Sequence, residues 1–213
     1  MRSIIYLIII LPFICKGQSV LQILDKSLAY HDSKNNWSTL KSTFHFKETR
    51  PSEADRFTVV TLDNSVSFMK INRNEEEVYE LKNNAAEVLK GNRDKDRALV
   101  LRDYYLYLWG LPMKLRDEST PQMVVTYSEK VEGNDTYVLR VPYDEDTWYF
   151  YFDKNSGKML QYKFYQDKEE SKGELITLEG EVLVQGIKIP QKRSWYTLPE
   201  MKYLGTDILE RVD

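Results

Sequence analysis

Cysteine is almost absent from this 213-residue chain, which contains only Cys15. No intrachain disulfide can form, so stability must come from a packed hydrophobic core. Histidine is also scarce, and His31 and His45 alone are too few for a zinc site. The 9 glycines and 7 prolines are scattered and form no linker, which favours a single domain.

Sequence motifs of the common catalytic and nucleotide-binding classes are missing as well. The chain has no His-Glu-x-x-His, no Gly-x-Ser-x-Gly and no glycine-rich phosphate loop. Its 30 basic residues are scattered and face 33 acidic ones, for a net charge of −3. We therefore expect no nucleic-acid partner, and no residue pattern predicts a cofactor.

The one long apolar run lies at the N-terminus. Arg2 precedes an apolar stretch from Ile4 to Cys15, and Lys16 to Ser19 are small or polar. This order is typical of a cleavable signal peptide, and the run is shorter than the ~20 residues that span a bilayer. We predict a signal peptide at residues 1–19 and a single β-rich domain at residues 20–213, with no transmembrane segment in the mature chain. Lipidation of the cysteine is an alternative, but a large isoleucine precedes it where such sites need a small residue.

Two helices are predicted after the apolar run. Apolar residues at steps of three and four from Val20 to Leu28 predict an amphipathic helix that ends near His31. A second helix is predicted from Ala98 to Trp109, where Gly110 stops it. This segment is apolar around most of its circumference, so protein must pack on two sides of it or one side must face a cavity.

Alternating and apolar patterns predict strands over most of the remaining chain, apart from a charged and irregular middle that includes Glu75 to Glu77. Turn residues separate the strands, and such short connections force antiparallel neighbours. The predicted fold class is α+β, with a curved antiparallel sheet that forms a half-open barrel, or meander, around one or two helices. The predicted strands are 40–47, 57–62, 66–71, 123–131, 136–141, 147–152, 158–165, 174–184, 187–196 and 202–209.

Aromatic residues are abundant, with 4 Trp, 15 Tyr and 8 Phe. In Trp148 to Phe152 both faces of the strand are aromatic, so we expect the sheet to be covered on both sides. Core packing explains much of this content, but a pocket for an apolar or amphipathic ligand would use the same residues. The candidate ligand-binding residues are Tyr104, Tyr107, Trp109, Trp148, Phe150, Phe152, Tyr162, Phe164 and Trp195.

Four stretches together resemble an uncharacterised family of exported proteins, a domain of unknown function known mainly from Bacteroidota. They are 29–32 with Trp37, 103–115, 146–153 and 186–190. The strand-turn-strand of 148–165 and the hairpin at 186–190 are also similar to the periplasmic lipoprotein-carrier (LolA-like) fold. This resemblance implies a curved sheet closed by helices around an apolar cavity, a lipid or lipoprotein partner, and a periplasmic or outer-membrane-associated location in a Gram-negative bacterium. It brings no catalytic residues.

Three functions remain open from the sequence. The favoured hypothesis is a non-catalytic exported protein that binds a lipid or other apolar or amphipathic ligand in the concave face of the sheet. One alternative is an envelope-associated hydrolase that uses acidic residues such as Asp103 or Asp146, and another is a structural or interaction protein with a filled core. For His31 beside Asp32, a helix-terminal histidine next to a turn aspartate is favoured over a catalytic pair. The oligomeric state is not predicted.

Overall fold

The computed structural model describes residues 18–213, in which an open antiparallel sheet of twelve strands carries the helices on one face. Residues 1–17 of the predicted signal peptide, with Cys15, lie outside the described residues. We call the face that carries the helices the inner face and the opposite one the outer face.

The helical elements of the described chain are two α-helices and several short turns. Helix α1 is Val20–His31, helix α2 is Lys95–Asp103, and Tyr104–Leu108 continues α2 as a π-helical turn. The strands are β1 Lys41–Thr49, β2 Arg56–Asp63, β3 Phe68–Arg73, β4 Glu77–Lys82, β5 Ala85–Lys90, β6 Val124–Val131, β7 Asn134–Pro142, β8 Thr147–Asp153, β9 Met159–Tyr165, β10 Gly173–Glu179, β11 Val182–Val184, β12 Ile187–Ile189, β13 Lys192–Leu198 and β14 Tyr203–Val212.

Helix α1 begins with a capping box. The Ser19 hydroxyl accepts the Gln22 backbone N–H at 3.3 Å, and the Gln22 side-chain oxygen accepts the Ser19 N–H at 2.9 Å. Two backbone donors of the first turn are thereby satisfied. Ile23 and Leu24 are buried against the sheet, and the helix ends at His31, which confirms the predicted amphipathic helix.

The sheet order is β5-β4-β3-β2-β1-β14-β13-β10-β9-β8-β7-β6, and every pair is antiparallel. Strands that follow one another in the chain are mostly neighbours, as the predicted meander requires. Pairing of β1 with β14 joins the N-terminal hairpins to the C-terminal half. The sheet is not closed, since β5 and β6 form its two edges.

The structure corrects the predicted strands in two places. The charged middle is not irregular, because Glu77–Lys82 and Ala85–Lys90 form the hairpin β4–β5. The predicted strands 174–184 and 187–196 are each broken, at Gly180, which has a φ of +65°, and at Pro190, which has no N–H to donate. The pieces between these breaks, β11 and β12, form a separate two-stranded hairpin that packs on α1.

The two faces of the sheet are covered differently. The inner face packs against α1, α2 and the π turn in one continuous core. The outer face has a smaller cluster that consists only of strand residues, with Tyr149 and Tyr151 buried at its centre. The Lys163 ammonium lies over the rings of Tyr149 and Tyr165, at 5.2 and 5.5 Å from their centroids. A long amphipathic side chain, rather than a second layer, therefore shields these tyrosines.

Candidate ligand-binding site

The π turn Tyr104–Leu108 sets the geometry of the inner face. A regular helix was predicted over 98–109, but helix α2 begins earlier, at Lys95, where the Asp94 carboxylate caps the Arg97 N–H at 2.9 Å. The last part of the segment is a π-helix, which has a wider turn than an α-helix. Such turns are rare in proteins, and many of those that occur lie at functional sites. Two consecutive tyrosines of this turn, Tyr104 and Tyr105, both bond to carboxylates of the sheet.

Glu48 on β1 is the partner of Tyr105. Its side chain is almost fully buried and accepts the Tyr105 hydroxyl, while Arg56 donates to its other oxygen at 2.5 Å. Arg73 on β3 lies 3.9 Å from the same oxygen. Burial and the Glu48 charge raise the pKa of Tyr105 above its usual range, so the phenol keeps its proton and remains a donor.

Asp207 on β14 is the partner of Tyr104, and it lies opposite Glu48 in the β1–β14 register. It also accepts the Arg50 guanidinium at 3.0 Å and the Trp195 indole N–H at 3.2 Å. Gly205 makes the arginine contact feasible, because a Cβ there would lie only 2.6 Å from the Arg50 Cδ. A buried carboxylate is thus fully paired, as its desolvation requires.

Arg193 on β13 fastens the end of the π turn to the sheet. Its guanidinium is fully buried, donates to the Leu108 carbonyl at 3.0 Å, and stacks 3.6 Å from the Trp109 ring centroid. It donates to the Pro190 carbonyl at 3.4 Å as well. Backbone oxygens and an indole face, rather than a carboxylate, hold this cation.

A cleft of about 690 Å³ opens beside α2 and the π turn. Its apolar floor includes Trp37, Leu62, Met69, Leu81 and Leu106. Two ion pairs stand at its rim, Arg102 with Asp103 at 2.7 Å and Lys114 with Asp117. Serine and asparagine residues line much of the rest, so the cleft is amphipathic.

The apolar interior under the π turn is packed, in contrast to the cleft. Trp37, Leu62 and Met69 also border an enclosed space between the sheet and Trp109, but that space measures only about 10 Å³. This is about the minimum for a single water molecule. Room for a ligand therefore lies beside the helical segment rather than beneath it.

A second hollow of about 240 Å³ lies on the other side of the π turn. Arg50, Tyr104, Glu174, Trp195 and Leu204 line it, and none of them lines the cleft. Tyr104 and Trp195 stack on each other with 5.8 Å between ring centroids. Burial raises the pKa of Glu174 above its usual value.

The nine predicted ligand-binding residues all belong to the inner-face core, either buried in it or packed against it. Tyr104 and Trp195 line the hollow, and Trp109 borders the enclosed space. Tyr107 lines a further cavity of about 230 Å³. There its hydroxyl lies 2.6 Å from the hydroxyl of Tyr143. Four of the other five form one aromatic stack on β8 and β9, centred on Trp148, whose ring is 4.6 Å from that of Phe164, and Phe152 is buried in the same core. Their role in binding stays a prediction. These five are Trp148, Phe150, Phe152, Tyr162 and Phe164.

The two acidic residues that the hydrolase alternative names, Asp103 and Asp146, do not line the same cleft. Asp103 lies at the rim of the cleft and is bound to Arg102. Asp146 lies in the connection between β7 and β8 and does not line the cleft. Asp117, the other carboxylate at the rim, is bound to Lys114. Each rim carboxylate is therefore held by its own cation.

His31 is a structural residue that ties α1 to two strands. Its Nε2 accepts the Met159 N–H at 3.1 Å, so its Nδ1 carries the proton and donates to the Lys188 carbonyl at 2.8 Å. The carboxylate of Asp32 instead accepts the backbone N–H groups of Asn36 and Trp37, both at 2.8 Å. The favoured interpretation of this histidine is confirmed.

The sequence interpretation missed the buried ionic residues Glu48, Asp207 and Arg193 and the half-buried Arg50. For Glu48 a signal was present, because the alternation of Ser42, Phe44 and Phe46 continues to position 48 and places it on the inner face. The alternation did not identify the partners of these residues. Asp207 on β14, for example, pairs with Arg50 just after β1, which is far away in the chain.

Comparison with known proteins supports the fold and the family. The structure is similar to a LolA superfamily protein from Nitrosomonas europaea, with a TM-score of 0.58, 9% identity, and coverage of 92% of this chain and 94% of that one. It is also similar to a putative outer membrane lipoprotein-sorting protein domain from Vibrio parahaemolyticus, with a TM-score of 0.58, 11% identity and coverage of 91% of both chains. At these identities the likeness establishes the fold alone, and it confirms the predicted LolA-like architecture.

No curated protein matches the sequence. Within residues 18–213, none of the helices is long and apolar enough to cross a membrane. The family model of DUF6503 matches residues 84–211, more than half of the chain, and the protein therefore belongs to this family of unknown function.

Proposed function

We propose that the protein binds a lipid or another amphipathic molecule on the inner face of its sheet, as a half-open barrel, without catalysing a reaction. The observation that carries this proposal is the cleft of about 690 Å³, which combines an apolar floor with a charged rim. Its volume lies within the ~300–1,000 Å³ that is common for ligand pockets, and its mixed apolar and polar lining suits an amphipathic ligand. The similar structures, a LolA superfamily protein and a putative lipoprotein-sorting protein domain, support the same proposal by their names.

The proposed site also suggests how the ligand lies. An apolar chain would contact Leu62, Met69 and Leu106, and the polar group would remain at the rim near Arg102 and Lys114. A longer chain has no room under the π turn, where only about 10 Å³ is free, so it would have to displace the aromatic packing there. The predicted ligand-binding residues among the aromatic side chains of the inner-face core would then become its walls.

The same proposal places the protein outside the cytoplasm. The basic and apolar start of the sequence has the order of a signal peptide, which makes residues 20–213 a single exported domain. In this proposal the location is the periplasm or the outer membrane of a Gram-negative bacterium, and lipid or lipoprotein is the partner.

Mass spectrometry of solvent extracts from protein purified from its native envelope tests the proposal. We expect a stoichiometric amphipathic compound from the wild type and a large loss of it in Leu106→Trp, because the larger indole would project into the cleft where the apolar chain is proposed to lie. Val100→Trp is the matched control, since Val100 is on the same helical segment but 57% exposed. Wild-type protein without bound compound, or equal loading of both variants, would contradict the proposal.

A second candidate is a structural or interaction protein with a filled core. The packed interior beneath the π turn favours it, because that space is about the minimum for one water molecule. The extraction experiment separates the two candidates, since this one predicts empty protein and no effect of Leu106→Trp on extracted lipid.

A further inference from the structure

The hollow beside Tyr104 differs from the cleft in its charge. Asp207, which accepts hydrogen bonds from Tyr104 and Trp195 of its lining, is already neutralised by Arg50, with 3.0 Å between the charged groups. Glu174 also lines the hollow, yet its carboxylate forms no hydrogen bond or ion pair with any residue of 18–213 within the usual distances. Arg50 also lines the hollow and its charge acts on Glu174, but its guanidinium is bonded to Asp207, so one cation and two carboxylates leave a net charge of −1.

The walls of the hollow are aromatic. Tyr104 and Trp195 stack at 5.8 Å with nearly parallel rings, and each is held in place by a hydrogen bond to Asp207. Both rings are thus fixed before any ligand arrives. An ordered aromatic surface beside a free carboxylate is the arrangement that recognises organic cations, by cation–π attraction and charge pairing.

The size of the hollow fits a small cationic group. Its volume of about 240 Å³ corresponds to roughly eight water molecules at ~30 Å³ each. We infer that this hollow is a second binding site, which takes the ammonium group of a small amine or of a lipid headgroup between Glu174 and the Trp195–Tyr104 pair. The site shares no lining residue with the cleft, so the inference does not depend on the proposed lipid function.

Calorimetric titration of the full protein with choline tests this inference, at pH 8 so that Glu174 is ionised. We expect saturable binding that weakens about tenfold in Glu174→Gln, which keeps the shape but removes the charge. Glu179→Gln is the matched control, because Glu179 lies on the same strand, outside the hollow, and is exposed. The neutral isostere 3,3-dimethyl-1-butanol should bind at least about tenfold more weakly than choline.

Three outcomes would overturn the inference: no saturable binding of choline, equal binding by Glu174→Gln, or equal binding of the neutral isostere. Binding of inorganic phosphate in place of choline would overturn it too, since it would show that Arg50 is the recognising group.

A second titration, with lysophosphatidylcholine below its critical micelle concentration, distinguishes a small amine from a lipid headgroup as the source of the ammonium group. Binding of this lipid that Glu174→Gln weakens and Leu106→Trp leaves unchanged would identify a lipid headgroup in the hollow, because the cleft and the hollow lie on opposite sides of the packed π turn. If Leu106→Trp retains choline binding but no lipid binds to the wild type, the hollow stands as an amine site while the lipid proposal fails.

Discussion

Acid should destabilise this protein through His31, the buried residue that joins α1 to the sheet. The neutral imidazole accepts a hydrogen bond from the Met159 N–H at Nε2, and a proton added there would face another donor. Burial therefore lowers the pKa of His31 from 6.5 to about 4. In the unfolded chain the same group takes up its proton near pH 6.5.

The magnitude follows from the difference between these two values. Between pH 6.5 and about 4 the unfolded state binds more protons than the native state, so stability falls as the pH falls. The difference corresponds to about 3 kcal/mol, at roughly 1.4 kcal/mol for each pH unit. Above pH 6.5 this contribution is fully present. Against a typical total of ~5–15 kcal/mol, the loss is large.

Urea unfolding at closely spaced pH values measures this loss, and comparison of wild type with His31→Gln cancels the other titrating groups. The variant should be less stable at neutral pH, but its stability should fall by about 3 kcal/mol less between pH 6.5 and 4. His45→Gln removes the other imidazole, at the surface beside Asp213, and serves as the control. Parallel pH profiles for wild type and His31→Gln, or an NMR titration of His31 near pH 6.5, would refute the reasoning.

Three substitutions test the packing around the site. Tyr105→Phe removes a donor from the buried carboxylate of Glu48 and should cost about 1–3 kcal/mol in urea unfolding, whereas an unchanged midpoint would mean that the bond contributes nothing. Gly110→Ala would place a Cβ against Trp37 and should destabilise by about 1–3 kcal/mol with altered near-ultraviolet circular dichroism, and a wild-type spectrum would contradict this close approach. Asp94→Ala removes the cap of α2, and an expected loss of about 1 kcal/mol would be excluded by equal unfolding curves.

Local patterns predicted most of the fold because they report directly on burial. Apolar spacing located α1 to its last residue, and alternation with turn residues located the strands from 123 onward and their antiparallel order. The hairpin of 77–90 was missed, because residues such as Glu77 and Lys90 make its pattern polar. Those charges lie at a sheet edge, where Glu77 pairs with Arg73 at 3.3 Å and Lys90 reaches a backbone carbonyl.

The candidate site was less predictable, since its groups meet only through tertiary structure. The nine predicted ligand-binding residues lie on one core, but their sequence positions could not show that the core is packed and that the open space lies beside it. Ion pairs such as Arg50 with Asp207 join residues 157 positions apart. No periodicity carries information over such a separation.

The π turn is the element that the cleft and the hollow share. Leu106 faces the cleft and Tyr104 faces the hollow, and the wide winding of the turn between them allows neighbouring tyrosines to reach two different strands. A regular helix would rotate Tyr104 and Tyr105 about 100° apart, whereas a π turn with more residues per turn brings successive side chains closer in direction. Because Glu48 and Asp207 are direct neighbours across β1 and β14, two adjacent hydroxyls of one turn can bind both. The buried carboxylates thereby fix the position of the turn, and with it the shape of both spaces.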